Sequence, residues 1–306
     1  MDNDLAIQLD NICKTYGTKV AVEGLDMRLP RATICGLLGP NGAGKTTTIR
    51  IILDIIGADR GRVEVLGGPL TPETRDRVGY LPEERGLYTK MKVLELLVFL
   101  GELKGTARRV ASGRARDWLE RLELADWADK KVDELSRGMQ QKVQFISTVL
   151  HEPELLILDE PFAGLDPLNV DTLKEIVLEQ KRRGATVLFS THNMDQAERL
   201  CERVVMIKDA RKVLDGTLAE VRRQAWLEGQ RQVLLAIEGE DGFLEDRSLV
   251  RAVEDRGTHK AVSLQDGVEP QRLLEAAMRS GSVVHRFEVS EPSLHEIFVT
   301  RARARE

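Results

Sequence analysis

The chain lacks an excess of positive charge. Its 306 residues carry 45 Lys and Arg against 50 Asp and Glu, a net charge of −5. That argues against a general nucleic-acid binder, which usually carries a basic excess. No apolar run approaches the roughly 20 residues needed to cross a bilayer; the most apolar helical stretch, Val93 to Leu100, is short and contains Glu95. The opening Met1-Asp2-Asn3-Asp4 is acidic where a secretory signal is basic. Cysteine is sparse. Cys13, Cys35 and Cys201 are odd in number, widely spaced and set among apolar neighbours, which reads as reduced thiols of a cytosolic protein. Internal repeats and low-complexity tracts are missing too. These absences point to a soluble intracellular protein whose role at a membrane, if it has one, requires a separate membrane partner. What is present is a globular balance, 42% hydrophobic and 31% charged, at a length suited to one large domain or two unequal ones.

Along the chain, alternation predicts strands at Leu5 to Leu9 and Val20 to Leu29, a short apolar run predicts a buried strand at Thr33 to Leu38, and Val63 to Leu66 and Val78 to Leu81 read as further short strands, with a helix from Thr46 to Ile56. Residues 84 to about 150 read as a helical insert. Its first helix, Met91 to Leu103, should turn Leu94, Leu97 and Leu100 or Phe99 inward; Ala115 to Leu124 and Gly138 to Leu150 follow. Strands return at Leu155 to Leu158 and Thr186 to Phe189, around a helix from Val170 to Arg183, and a hairpin is expected around Asp209-Ala210. A polar helix over 218–230 reads as a linker. The tail, 231–306, is expected to be a small α/β domain, with strands at Gln232 to Ile237, Ala261 to Leu264 and Val283 to Val289 and helices at Pro270 to Met278 and Pro292 to Arg303.

Gly39-Pro40-Asn41-Gly42-Ala43-Gly44-Lys45-Thr46 fits G-x-x-x-x-G-K-[ST] between an expected strand and an expected helix. Glycines let backbone N–H groups turn toward phosphate oxygens, and the helix start presents its positive dipole end to the same anion. Lys45 reaches the β- and γ-phosphates, the Thr46 hydroxyl is a Mg²⁺ ligand, and Thr47 completes the nucleotide-binding set. A glycine-rich turn with a chance lysine is the plainer reading, but both flanks favour phosphate.

Leu155-Leu156-Ile157-Leu158-Asp159-Glu160 ends an apolar strand in two carboxylates. Ligands collect at the carboxyl ends of strands in open α/β sheets. Asp159 is expected to hold Mg²⁺ through water and Glu160 to polarise or deprotonate the attacking water. Neighbouring strand residues face opposite ways, so the two acids can hold different roles.

Leu135-Ser136-Arg137-Gly138-Met139-Gln140-Gln141-Lys142 resembles the signature L-S-G-G-Q of ATP-binding cassette (ABC) ATPases, and it lies between the phosphate loop and the acidic pair as in that family. Arg137 and Met139 depart from it; Ser136 and Gly138 remain. The resemblance covers about residues 4 to 217. It implies that Ser136 and Gly138 face the γ-phosphate of ATP held by a second subunit, that Tyr16 stacks on adenine, that Asp166 contacts the partner, and that His192 bonds the γ-phosphate as a catalytic residue beside Glu160 and Lys45. Glu83 stands where the family usually has glutamine and is a further candidate metal ligand. The segment Glu83-Glu84-Arg85-Gly86-Leu87-Tyr88-Thr89-Lys90-Met91 corresponds to the region that meets the membrane subunit in the family.

The tail, chiefly Glu291-Pro292-Ser293-Leu294-His295-Glu296-Ile297-Phe298, resembles the accessory domain of a sodium, drug and antibiotic exporter branch. Arg301-Ala302-Arg303-Ala304-Arg305 reads as a solvated helix end whose cations suit the dipole. The implied fold is an α/β P-loop ABC ATPase with a mixed-sheet core over residues 1–217, an antiparallel β subdomain and a helical subdomain, followed by the small α/β domain. The implied function is ATP hydrolysis with Mg²⁺ by a homodimer, or a heterodimer with a related ATPase. That dimer would power export through an integral membrane permease from the inner face of the cell membrane, with no nucleic acid involved. Two alternatives are an importer ATPase and a soluble ABC ATPase acting on nucleic acid or the ribosome. The single cassette, the missing coiled coils and the mild acidity weigh against the soluble one.

Overall fold

A computed structural model describes residues 4–84, 86–228, 232–265 and 267–303. Arg85 of the loop after Glu83, and Ala304 and Arg305 of the basic end, lie outside the described residues. The chain divides into two compact units, Met1–Asp215 and Gly216–Glu306.

The first unit runs β1 (Leu5–Tyr16), β2 (Lys19–Pro30), β3 (Ile34–Leu38), α1 (Lys45–Ile52), β4 (Arg60–Val65), α2 (Pro72–Asp76), β5 (Val78–Leu81), α3 (Val93–Leu103), α4 (Arg108–Arg121), α5 (Arg137–Val149), β6 (Leu155–Asp159), α6 (Pro167–Arg182), β7 (Thr186–Thr191), α7 (Met194–Leu200) and β8 (Arg203–Lys208). It ends in β9 (Arg211–Thr217), which crosses the division. One sheet is antiparallel, β2-β1-β4. The other has the order β5-β6-β7-β3-β8-β9, with β5, β6, β7, β3 and β8 all parallel. Every residue of β3, β6 and β7 is buried, as strands covered on both faces must be. Asp209 (φ 49°) and Ala210 (φ 66°) form a two-residue turn that can join only antiparallel neighbours, so β9 makes the sheet mixed, as expected. Between the sheets, Ile7, Leu9 and Leu25 pack with Leu37, Ile49 and Ile157. Cys35 and Cys201 are buried free thiols, and Cys13 is a half-buried one.

Several boundaries differ from the sequence reading for local reasons. The first helix stops at Ile52, not Ile56, because Asp54 turns left-handed (φ 53°) and the Ile55 amide reaches back to the Arg50 carbonyl (2.9 Å). Leu66 (φ 53°) ends β4 in the same way. α4 starts at Arg108, seven residues before the expected start at Ala115; its N-cap, Ala107, has no capping side chain and so gave no start signal. On α3 the inward face is corrected. Val93, Leu96, Leu97, Val98 and Gly101 are buried, Leu94 and Leu100 are half-buried, and Phe99 is exposed and packs edge-on to Tyr88. Gly101 sets this phase. A Cβ there would sit 2.9 Å from Leu150 Cδ2 and 3.0 Å from Ala111 Cβ, so α3 makes its close approach to α4 and α5 along that line.

The second unit contains α8 (Leu218–Leu227), β10 (Gln232–Glu238), β11 (Val250–Asp255), β12 (Lys260–Leu264), α9 (Pro270–Arg279), β13 (Val283–Ser290) and α10 (Leu294–Arg303). The helix read as a linker is part of this unit. It opens on a reciprocal cap between Thr217 and Glu220, and Glu228 just beyond it pairs with Arg301 of α10. The sheet is antiparallel, order β11-β12-β10-β13, with Val233, Leu235, Val262, Leu264 and Leu273 in its core. β11 had no sequence signal because, as an edge strand, it buries Val250 alone. Ser293 and Glu296 cap α10 reciprocally, at 2.8 and 3.3 Å, which gives the Ser-Leu-His-Glu run a structural role.

His151, directly after α5, is mostly buried. Its Nδ1 has no partner and its Nε2 lies 3.3 Å from the Val78 carbonyl. Burial, and then the nearby Lys104 cation, push its pKa down to about 4. The unfolded chain therefore binds a proton that the folded chain refuses, and stability falls as pH drops from about 6.5 to about 4. Melting curves should show the wild type losing more stability over that window than His151→Gln; parallel losses would mean that His151 takes up its proton in the folded state.

Candidate functional site

Three neighbouring parallel strands deliver the site. β3, β6 and β7 end at the same sheet edge, with Leu38 beside Thr191 and Asp159 beside Ser190. The loop 39–44 leaves β3 and turns into α1. Gly44 (φ 111°) is the N-cap, and a Cβ on it would lie 2.3 Å from the Ala21 carbonyl oxygen, so only glycine fits. No side chain caps α1 and no acid lies in its first turn, which leaves its leading N–H groups for an anion. Lys45 is buried. Its Nζ donates to the carbonyls of Gly39 (2.8 Å) and Pro40 (3.3 Å) and lies 3.4 Å from Glu160 Oε1.

Glu160 joins the three strand ends. Its backbone is left-handed (φ 48°), a conformation that side-chain-bearing residues adopt where the surroundings enforce it. Oε1 accepts from His192 Nδ1 at 3.1 Å, so Lys45, Glu160 and His192 form one chain of contacts. Ser190, buried on β7, takes a hydrogen bond from the Glu160 amide (2.9 Å) and donates to Asp159 Oδ1 (2.5 Å). Asp159 is 1% exposed, and its Oδ2 is buried with no partner. An unpaired buried carboxylate oxygen is costly, and a cation relieves that cost. The residues thus fit a divalent ion. Among the described residues no three His, Cys, Asp or Glu side chains converge to hold a metal by themselves. That suits Mg²⁺, which takes one or two carboxylates and fills its shell with water and phosphate oxygens.

A cavity of about 390 Å³ lies over the loop, lined by Tyr16, Lys19, Ala21, Asn41, Gly42, Gly44, Lys45, Thr46, Thr47, Glu83 and Glu160. Tyr16, half exposed at the end of β1, is open for stacking. Glu83 also lines an adjoining recess of about 40 Å³ with Asp159, Gln141 and Gln144. Sequence reasoning missed both glutamines and Ser190. Gln144 donates to the Glu84 carbonyl (3.2 Å) and Gln141 to the Pro161 carbonyl (3.0 Å), so α5 ties down the loops carrying Glu83 and Glu160. The available signal was a polar residue on the buried side of an amphipathic helix.

The remaining expected residues lie elsewhere. Ser136 is exposed at the N-cap of α5, where it accepts from the Met139 amide (3.4 Å), and Gly138 has open space where a Cβ would be. Asp166 is the exposed N-cap of α6; the Asn169 amide and side chain hold its carboxyl below the usual range. None of these three lines the cavity over Lys45.

A phosphate loop at the end of a central parallel strand, with two acids on a nearby strand end, defines a P-loop NTPase. The ABC transporter family pattern matches residues 22–163, and that of the C-terminal domain of DrrA1-3-like ATP-binding proteins matches 216–302. The ABC transporter ATP-binding protein YhaQ of Bacillus subtilis is 43% identical over 97% of this chain and 99% of its own length. The daunorubicin resistance ATP-binding protein DrrA3 of Streptomyces coeruleorubidus is 33% identical over 97% and 95%. A solved ATP-binding subunit of an ABC transporter superposes with a TM-score of 0.69 at 34% identity, over 73% of this chain and 95% of that one. The chain belongs to the ABC transporter ATP-binding proteins, and its chemistry is the ATPase reaction of that family.

Ser190→Ala removes the group that orients Asp159 and the Glu160 amide. ATP turnover should fall about 10–100-fold, the usual cost of losing such a supporting contact, while nucleotide still binds. Turnover equal to wild type would show that the acids are held without Ser190.

Proposed function

We propose that this chain is the ATPase subunit of an ABC exporter and works as a head-to-tail dimer around two ATP molecules with Mg²⁺. One observation carries the reading. Ser136 stands exposed and Gly138 half-buried at a helix N-terminus, where an anion is favoured, yet they do not line the cavity that holds Lys45. A second copy, or a related ATPase, can bring its own Ser136 and Gly138 to the nucleotide held at Lys45, with Asp166 at the contact.

In this reading Tyr16 stacks on adenine while residues 39–47 hold the phosphates. Thr46 and Asp159, with Glu83 beside them, hold Mg²⁺, which screens phosphate charge. Glu160 takes the proton of the attacking water, and His192, already bonded to Glu160, fixes the γ-phosphate. ATP bridges the two copies and hydrolysis removes the bridge, an order-and-release switch. Residues 1–217 form the nucleotide-binding domain. No described helix is long and apolar enough to cross a membrane; in this reading transport runs through a separate permease that the chain meets from the cytoplasmic side. The DrrA-like tail and the resemblance to a drug-resistance ATPase favour export over import.

Glu160→Gln should retain ATP, lower turnover at least 100-fold, and accumulate a nucleotide-dependent dimer visible by size. Ser136→Arg should bind ATP at Lys45 yet fail to form that dimer. Full turnover by Glu160→Gln removes Glu160 as base, and an undiminished dimer with Ser136→Arg removes the cross-subunit site.

A further inference from the structure

The nucleotide cavity contains a cation to which neither the phosphate-loop motif nor the cassette resemblance assigns a task. Lys19 opens β2, directly opposite Tyr16 across the turn that joins β1 and β2. Side chains two apart on a strand share a face, so Lys19 and Ala21 point the same way, and both line the cavity. Ala21 packs at the phosphate loop, its carbonyl abutting Gly44. Tyr16 marks the other, base-stacking end. Lys19 therefore starts beside the ring and lines the same cavity as the loop, so its long side chain serves the stretch a nucleotide spans with its ribose and first phosphate.

The charges around it sharpen the assignment. Lys45, the other cation of the cavity wall, is occupied by two carbonyls and by Glu160. Lys14, whose Nζ lies 5.7 Å from the Tyr16 ring centre, is paired to Asp59 at 2.8 Å. No described carboxylate pairs with Lys19. Glu83 and Glu160 make the rest of the wall acidic, which leaves a bound polyanion short of compensating charge away from the loop.

We infer that Lys19 is a nucleotide-binding residue that pairs with the α-phosphate, so that it grips ATP and ADP alike, whereas Lys45 serves the phosphates that hydrolysis separates. This rests on the nucleotide-site reading above and adds a functional consequence. A contact to the α-phosphate survives hydrolysis, so it holds the product as firmly as the substrate and contributes nothing to telling them apart.

The test is equilibrium binding of ATP and of ADP to the full chain as wild type, Lys19→Met, Lys19→Arg and Lys45→Ala, at low and at raised salt. Lys19 is exposed at a turn, so its variants should melt with the wild type. Lys19→Met should weaken ATP and ADP by the same factor, about three- to tenfold for a charge-assisted contact open to solvent. Lys19→Arg should restore both affinities, and the difference should shrink at raised salt as screening removes it. Unchanged affinities, a loss confined to ATP, or a loss that arginine does not rescue would each overturn the assignment. Lys45→Ala keeps the two failures apart: if it binds like wild type, the nucleotide site itself is misplaced, whereas a normal Lys45→Ala defect beside an unaffected Lys19→Met rejects Lys19 alone.

Discussion

The parallel register of β3, β6 and β7 is the constraint on which the rest depends. It sets Leu38 beside Thr191 and Asp159 beside Ser190, so the phosphate loop, the acidic pair and His192 leave the sheet at one edge. A slip of one residue would turn Asp159 to the opposite face and part it from Ser190. The complete burial of all three strands protects that register, because any shift would break apolar packing on both faces at once.

Charge is placed at this edge under tension. Asp159 is buried with one oxygen satisfied by Ser190 and the other unmet, while Glu160 sits in a backbone conformation that residues with side chains seldom adopt. Such arrangements persist only where the surrounding structure over-determines them. Here Ser190 bridges the acids from behind, and Lys45 and His192 hold Glu160 from the front. The two acids and Lys45 are thus fixed relative to one another by contacts within the protein itself.

α5 links this edge to the helical segment. Its N-terminal end carries the exposed Ser136 and the half-buried Gly138, and one to two turns on, Gln141 and Gln144 hold the loops that carry Glu160 and Glu83. The second unit has its own core and its own capped helices.

The sequence by itself determined the parts whose chemistry is local. The phosphate loop, the Asp159-Glu160 pair, the signature helix and most strands follow from spacing, because glycine freedom, helix dipoles and alternation act over a few neighbouring residues. Ser190, Gln141 and Gln144 were not legible. Their roles come from contacts with residues 20 or more positions away; the buried side of an amphipathic helix marks the glutamines as unusual, but nothing local names the partner. The inward face of α3 was misread because a glycine, Gly101, sets its contact line, and β11 was missed because an edge strand need not alternate. Only the tertiary structure decided which expected residues share one cavity and which, like Ser136, Gly138 and Asp166, stand apart from it. That depends on how distant strands and helices align in three dimensions, which spacing along the chain does not encode.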